Sequence, residues 1–230
     1  MSTFAEEYAA LQSELSQVLQ QCSRPADAVK ILAVSKTFPA EAIQEAYDCG
    51  IRCFGENKVQ ELGVKAESLP GDIEWHFIGH LQSNKAAKAV QYASWIHSVD
   101  SLKLLNKLDR AAGEMHKKPC ILLEVNSGEA SKSGVDYADL MELAEAAAAA
   151  ETLQFKGLMT MAPLTDDRTE WIKAFQKLAA ARDELENALS IKLPELSMGM
   201  SGDFAEAVTC GSSIIRIGTR LFGNRNYNTV

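Results

Sequence analysis

No apolar run in the sequence approaches the roughly 20 residues a helix needs to cross a bilayer. There is no Lys/Arg run or basic arm either, and 23 basic residues against 31 acidic ones leave a net charge of −8. A nucleic-acid footprint is thereby excluded, whereas a small anionic ligand is not, because local dipoles and a few cations decide that. Cysteine is sparse: Cys22, Cys49, Cys53, Cys120 and Cys210 are odd in number and match no CxxC or zinc spacing. They read as free thiols in a reducing cytoplasm, and Cys49 with Cys53 is set aside as a ligand pair. The 4 histidines show no metal spacing. No Pro/Ser/Gly tract separates two halves, so residues 1–230 are expected to form a single domain. The first segment, "MSTFAEEYAALQSELSQVLQQC", lacks the positive region and apolar stretch of a signal peptide.

What is present is an ordinary globular balance, 47% hydrophobic and 23% charged residues, long enough to bury a substantial core. Residues 2–22 carry Phe4, Tyr8, Leu11, Leu15 and Leu19 at helical spacing. Eight apolar runs follow, at 31–35, 51–54, 75–79, 94–99, 120–126, 153–161, 195–200 and 213–218. Helical patterns lie between them, at 39–49, 56–67, 83–92, 101–116, 136–150, 168–189 and 203–210, with turn and cap residues in each gap. Strands alternating with helices imply a parallel sheet with right-handed crossovers. Repeated through all the runs, the unit closes into an α/β fold: a single (β/α)8 barrel of the triosephosphate-isomerase (TIM) type preceded by an N-terminal helix. A doubly wound open sheet is the alternative.

Such barrels place their chemistry at the C-terminal ends of the strands. There "ILAVSK" ends in Lys36, "FGEN" in Asn57 and "FIGH" in His80. "MGMSGDFAEA" and "RIGTRLFG" look like anion cradles after the last two strands, built from Ser201, Gly202, Gly218 and Thr219 before helical turns. Taken singly, Ser201 and Thr219 would be helix caps; together, in the two loops where these barrels bind phosphate, they point to a phosphate. A lysine facing such a mouth is partly desolvated and nucleophilic, which suits a phosphorylated aldehyde or ketone held as a Schiff base. Its bland alternative is a solvated or salt-bridged surface lysine. Arg216 stands inside the apolar run "SIIRIG", so it is either paired, for instance with Glu124, or facing the pyridine nitrogen of a cofactor. Lysine, arginine and phosphate loops together point to pyridoxal 5′-phosphate. Trp75, Trp95 and Trp171 read as core aromatics, and His97 and His116 as structural or exposed.

The segments "AVSKTFPAEAIQEAYDCGIRCFGENKVQE", "WHFIGHLQSNK", "GLMTMAP", "LSMGMSGDFAEAV" and "IIRIGTRLFGNR" resemble, in that order and across essentially the whole chain, the pyridoxal phosphate homeostasis proteins. The resemblance implies a barrel like that of alanine racemase without its β-rich second domain. It matches Lys36 to the Schiff-base lysine, Arg216 to the arginine at the pyridine nitrogen, and Ser201, Gly218 and Thr219 to the phosphate loops. It puts Asn57 near the cofactor, with His80 and Met200 as neighbours. Gly202 and "GSS" at 211–213 depart from the family pattern, where Asp and Gly-Ser-Thr are common; Gly202 is expected to loosen the phosphate loop without removing its donors.

The resemblance further implies a cytoplasmic protein that binds the cofactor and regulates its free pool, with no established catalytic turnover. PLP-dependent apoenzymes are candidate partners, and a monomer is expected. Arginine cannot protonate the pyridine nitrogen, and a racemase needs a second base that the missing domain would bring. A PLP-dependent enzyme such as a weak amino-acid racemase is the alternative, and a Schiff-base aldolase acting on a phosphorylated sugar the third reading.

Overall fold

The computed structural model describes residues 3–128 and 133–223. Eight parallel strands close into a barrel in sequence order: β1 (Lys30–Val34), β2 (Cys53–Glu56), β3 (Glu74–Phe77), β4 (Trp95–Val99), β5 (Cys120–Glu124), β6 (Gln154–Met159), β7 (Glu195–Ser197) and β8 (Ile214–Ile217). β8 returns to β1 with Leu32 opposite Arg216 and Ala33 opposite Ile217. The helices are α1 (Phe4–Gln21), α2 (Ala40–Asp48), α3 (Val59–Ser68), α4 (Ala86–Tyr92), α5 (Leu102–Glu114), α6 (Leu140–Ala149), α7 (Arg168–Leu189), α8 (Phe204–Thr209) and α9 (Thr219–Phe222). The sixth and seventh strands are shorter than their apolar runs, because the chain leaves the sheet to form mouth loops. α6 starts four residues later than its helical pattern, since Val135 is held in a β-bridge to Val125.

Each strand is preceded and followed by a helix whose apolar stripe packs on the outer face of the sheet, giving one continuous layer that includes Ile43, Leu62, Leu108, Leu143, Phe175 and Val208. The ring has one weak place. α9, which follows β8, is a four-residue turn. α1 packs there against α8, α9 and α2. Its Leu11, Leu15 and Leu19 are buried, each stabilising the fold by about 1.5–3 kcal/mol. Thr3 and Glu6 form a capping box at its start.

A bulge sets the register of β5 on β6, and Gly157 supplies the backbone it needs. Its φ is +154°, and a Cβ there would lie 1.8 Å from the Glu195 carbonyl oxygen. Only glycine lets β7 pair this closely.

The barrel interior departs from the usual layers of branched aliphatics. Trp95, Leu122 and Met159 form a small apolar cluster apart from the main core. Polar and charged side chains share the lumen with it. Every second residue of β1, β3, β4, β7 and β8 contributes Lys30, Glu74, His76, His97, Ser197 and Arg216.

Candidate functional site

The lysine loop comes first. Lys36, half-buried, shares the parity of Lys30, Leu32 and Val34, two residues beyond the end of β1. Ser35 extends the pairing to β2 by donating its N–H to the Gly55 carbonyl at 3.0 Å, and its own carbonyl accepts the Phe38 N–H at 3.1 Å. Thr37 adopts φ +70°, a left-handed conformation that a β-branched residue takes only when its surroundings hold it there. The exit of β8 passes alongside: a Cβ on Gly218 would lie 3.3 Å from the Val34 carbonyl. Phe222 of α9 stacks on Phe38 with centroids 5.0 Å apart. The eighth loop and the lysine loop are thus packed as one unit.

Arg216 is buried. Its Nη1 donates to the Ser197 carbonyl at 2.7 Å and to Ser197 Oγ at 2.9 Å, and its Nη2 to the Thr160 carbonyl at 2.9 Å. Burial lowers its pKa to about 10, with the charges of Asp203 and Glu124 opposing the shift, so it stays protonated at neutral pH. No salt bridge to Glu124 forms: strand carbonyls and a hydroxyl hold the guanidinium, and both carboxylates act on it across space.

From Ser197 a hydrogen-bonded chain crosses the barrel. Ser197 Oγ lies 2.9 Å from His97 Nδ1, His97 Nε2 lies 2.8 Å from His76 Nδ1, and His76 Nε2 lies 2.9 Å from Glu74 Oε1. Lys30 donates to the same Glu74 oxygen at 2.9 Å. The proton positions follow from the ends. An ionised carboxylate only accepts, so His76 carries its proton on Nε2 and offers a bare Nδ1. His97 then donates from Nε2, and Ser197 donates its hydroxyl to His97 Nδ1 while accepting from Arg216. Every donor runs one way, from guanidinium to carboxylate, through two neutral imidazoles. Burial lowers both imidazole pKa values, that of His97 well below the ordinary 6.5. At the floor of the barrel Cys53 Sγ joins Glu74 and His76, with ligand-type atoms within 4.8 Å of one another. The Lys30 ammonium already supplies the positive charge there. Burial and Glu74 push the Cys53 thiol up to about 11.

The chain makes stability pH-dependent. The unfolded protein binds protons on His76 and His97 below about pH 6.5, and the folded protein does not, so stability falls as pH falls. Glu74, whose pKa its His76 hydrogen bond depresses, adds a further loss below its ordinary 4.5. Burial raises Glu56, Glu124 and Asp203, which act with the opposite sign, so the histidine contribution is isolated by comparison with His97→Asn. Urea unfolding at pH 7.5, 6.5 and 5.5 should show a slope smaller by up to about 1.4 kcal/mol per pH unit in the variant. Equal slopes would contradict neutral, buried imidazoles.

The remaining candidates lie on the same rim. Asn57 follows β2, and Gly79, after β3, packs so tightly on it that a Cβ would sit 2.3 Å from the Asn57 carbonyl. His80 is exposed and 3.4 Å from Asp100 Oδ2. Met200 is 39% exposed. Neither Ser201 nor Thr219 is a cap: Asp203 and Gly218 hold those positions, without side-chain cap bonds. The Met200–Asp203 loop is closed instead by Asp203 Oδ1 accepting the Met200 N–H and by the Arg216 N–H on the Gly199 carbonyl at 2.9 Å. Gly199, at φ +95°, lets it lie on α8, where a Cβ would be 2.6 Å from that of Ala207. Asn57 Oδ1 and Glu124 Oε2, at the C-terminal ends of β2 and β5, are buried with no hydrogen-bond partner among the described residues. A polar ligand at the mouth would satisfy such atoms, which fits a bound cofactor.

Trp75 and Trp95 are buried, Trp171 packs against the core, and His116 is exposed, as the sequence suggests. Sequence reasoning missed Ser197, Thr160, His76, Glu56 and Lys65. For His76 the usable signal was parity, a histidine at an inward position of a buried strand. The Asn224–Arg225 end of the last resemblance segment lies outside the described residues.

The description "Alanine racemase, N-terminal domain" matches residues 7–226. The pyridoxal phosphate homeostasis protein of Vibrio alginolyticus is 42% identical over 234 residues, spanning 99% of this chain and 100% of its own. The chain belongs to the pyridoxal phosphate homeostasis family. The family's Pseudomonas aeruginosa member is 43% identical, covering 99% and 98% of the two chains. A solved relative, PipY of Synechococcus elongatus with PLP bound, superposes with TM-score 0.85 at 43% identity over 96% of this chain and 100% of that one. Alanine racemase from Clostridium difficile, 14% identical with TM-score 0.73 over 95% of this chain and 58% of its own, shares the fold alone.

Proposed function

We propose that this protein binds pyridoxal 5′-phosphate at the C-terminal mouth of its barrel and acts in intracellular homeostasis of that cofactor. The observation that carries the reading is a buried, permanently charged Arg216 held one strand away from the Lys36 loop, in a chain 43% identical throughout to a relative solved with PLP bound. The bound group would supply an aldehyde and a ring with an electron-accepting nitrogen. Lys36 would hold the group through its amine, as a Schiff base with the aldehyde. Arg216, being protonated, would hold the ring nitrogen as a hydrogen-bond donor without passing its proton. Backbone N–H groups and hydroxyls of the loops at Ser201, Gly218 and Thr219 hold the phosphate. Asn57, His80 and Met200 line the mouth.

The same reading takes the chain as one domain, a monomer that exchanges the cofactor with PLP-dependent apoenzymes rather than turning over a substrate. The match to one domain description over 7–226 and the five free thiols, suited to a reducing compartment, support it. Among the described residues no helix is long and apolar enough to cross a membrane. The test is the absorption spectrum of the protein with pyridoxal phosphate added, before and after borohydride, followed by peptide mapping. A visible band lost on reduction, with the label on the peptide containing Lys36, is expected. No band, or a label elsewhere, overturns the reading.

A further inference from the structure

Around the lysine loop lies a buried ion cluster with no part in the scheme above. Lys65, on α3, is 5% exposed, and Glu56, at the end of β2, is fully buried. The Lys65 ammonium donates to Glu56 Oε1 at 2.7 Å, to Glu61 Oε1 at 2.7 Å and to the Ser35 carbonyl at 3.0 Å. Its three protons are all used. Glu56 Oε1 also accepts the Ser35 hydroxyl at 2.6 Å, and Glu61 Oε1 accepts the Thr37 N–H at 2.7 Å.

These contacts have one focus. The Ser35 carbonyl belongs to the peptide unit before Lys36 Cα, and the Thr37 N–H to the peptide unit after it. Lys65 holds the first and Glu61 holds the second, and the two are joined by their own ion pair. Both peptide planes that meet at Lys36 are therefore fixed from outside the loop, and Thr37 is kept at its left-handed φ. A surface ion pair contributes little by itself. A buried one is costly to assemble and makes structural sense where it specifies geometry.

We propose that Lys65, Glu56 and Glu61 are positioning residues for Lys36: they set the direction in which its amine leaves the backbone, and with it the rate at which the amine captures an aldehyde. The proposal rests on the reading of Lys36 as the aldehyde-binding amine. It assigns a task to the spacing of Glu56, Glu61 and Lys65, which puts a carboxylate at the end of β2 beside a carboxylate and an ammonium on the side of α3 facing the lysine loop.

Glu61 gives the cleanest test, since it is 22% exposed on the first turn of its helix and its loss leaves Lys65 paired with Glu56. In the ligand-free protein, hydrogen–deuterium exchange at the Thr37 amide should be faster in Glu61→Ala than in wild type. On mixing with pyridoxal phosphate, the visible band of Glu61→Ala should grow at least about tenfold more slowly, as expected when a reacting group is misplaced by a fraction of an ångström to an ångström. Glu61→Gln keeps an acceptor for the Thr37 N–H and should restore both readouts to within about threefold of wild type. Thermal melting, recorded on the same samples, separates slow capture from partial unfolding. A Glu61→Ala protein that forms the band at the wild-type rate overturns the proposal, and so does a Glu61→Gln protein as slow as Glu61→Ala. If the wild-type protein forms no band, it is the binding reading that fails.

Discussion

Lys36→Ala is expected to abolish the reducible visible band while leaving the fold in place. The band requires a carbon–nitrogen double bond to the cofactor aldehyde, and only an uncharged primary amine within reach of the mouth can form it. The side chain stands two residues beyond the end of β1 and is half-buried, so its removal opens no core cavity. The ties that hold the loop run through the Ser35 carbonyl, the Ser35 hydroxyl and the Thr37 amide, none of which belongs to the deleted atoms. Unfolding free energy should therefore change by no more than about 1 kcal/mol. Noncovalent binding through the ring and phosphate contacts should survive, with a dissociation constant raised at least about tenfold, which corresponds to about 1.4 kcal/mol. The measurements are the absorption spectrum with borohydride trapping, equilibrium dialysis against pyridoxal phosphate, and urea unfolding. A Lys36→Ala protein that still traps the cofactor covalently would exclude Lys36 as the docking amine.

Arg216→Ala should damage stability and binding together. The guanidinium is the donor for the Ser197 and Thr160 carbonyls and for Ser197 Oγ, and it is the starting end of the chain that runs to Glu74. Truncation leaves a cavity in a close-packed lumen and an orphaned carbonyl, each worth about 1–3 kcal/mol. Relief from keeping a buried charge offsets part of this, so a net loss of about 2–4 kcal/mol is expected. Glu124 and Asp203 lose the positive charge that opposes their upward pKa shifts and should move further up. Arg216→Lys keeps the charge but not the planar fork, so it should recover part of the stability and little of the ring contact. Urea unfolding and cofactor titration of the two variants check this. An Arg216→Ala protein within 1 kcal/mol of wild type would show that the guanidinium has no structural role. Undiminished affinity would remove it from the cofactor site.

The fold was legible because its signal is local. Apolar runs of strand length alternate with helical stripes, and short connections between parallel strands leave few closed solutions. The boundaries shifted where tertiary contacts won. β7 ends at Ser197 because its continuation becomes the loop over α8, and α6 waits for the Val125–Val135 bridge. The rim residues were legible for the same reason, since in a barrel the residue after each strand stands at the mouth. Lys36, Asn57, Ser201, Gly218 and Thr219 follow from chain order alone.

The interior could not be read this way. Parity puts His76, His97, Ser197 and Arg216 inside, but hydrogen bonding between them depends on the stagger of neighbouring strands, and stagger is set by closure of the whole barrel. Arg216 could equally have met Glu124; the register brought it to Ser197 and Thr160 instead. Lys65 looked like one more charge on an amphipathic helix, and only the docking of α3 beside the lysine loop buried it between Glu56 and Glu61. The sequence by itself determined the barrel, its open end and the amine at its first strand. Tertiary structure decided which charges are buried, what each is bonded to and how the lysine backbone is held, because those contacts join residues far apart in the chain whose distances exist only once the barrel has closed.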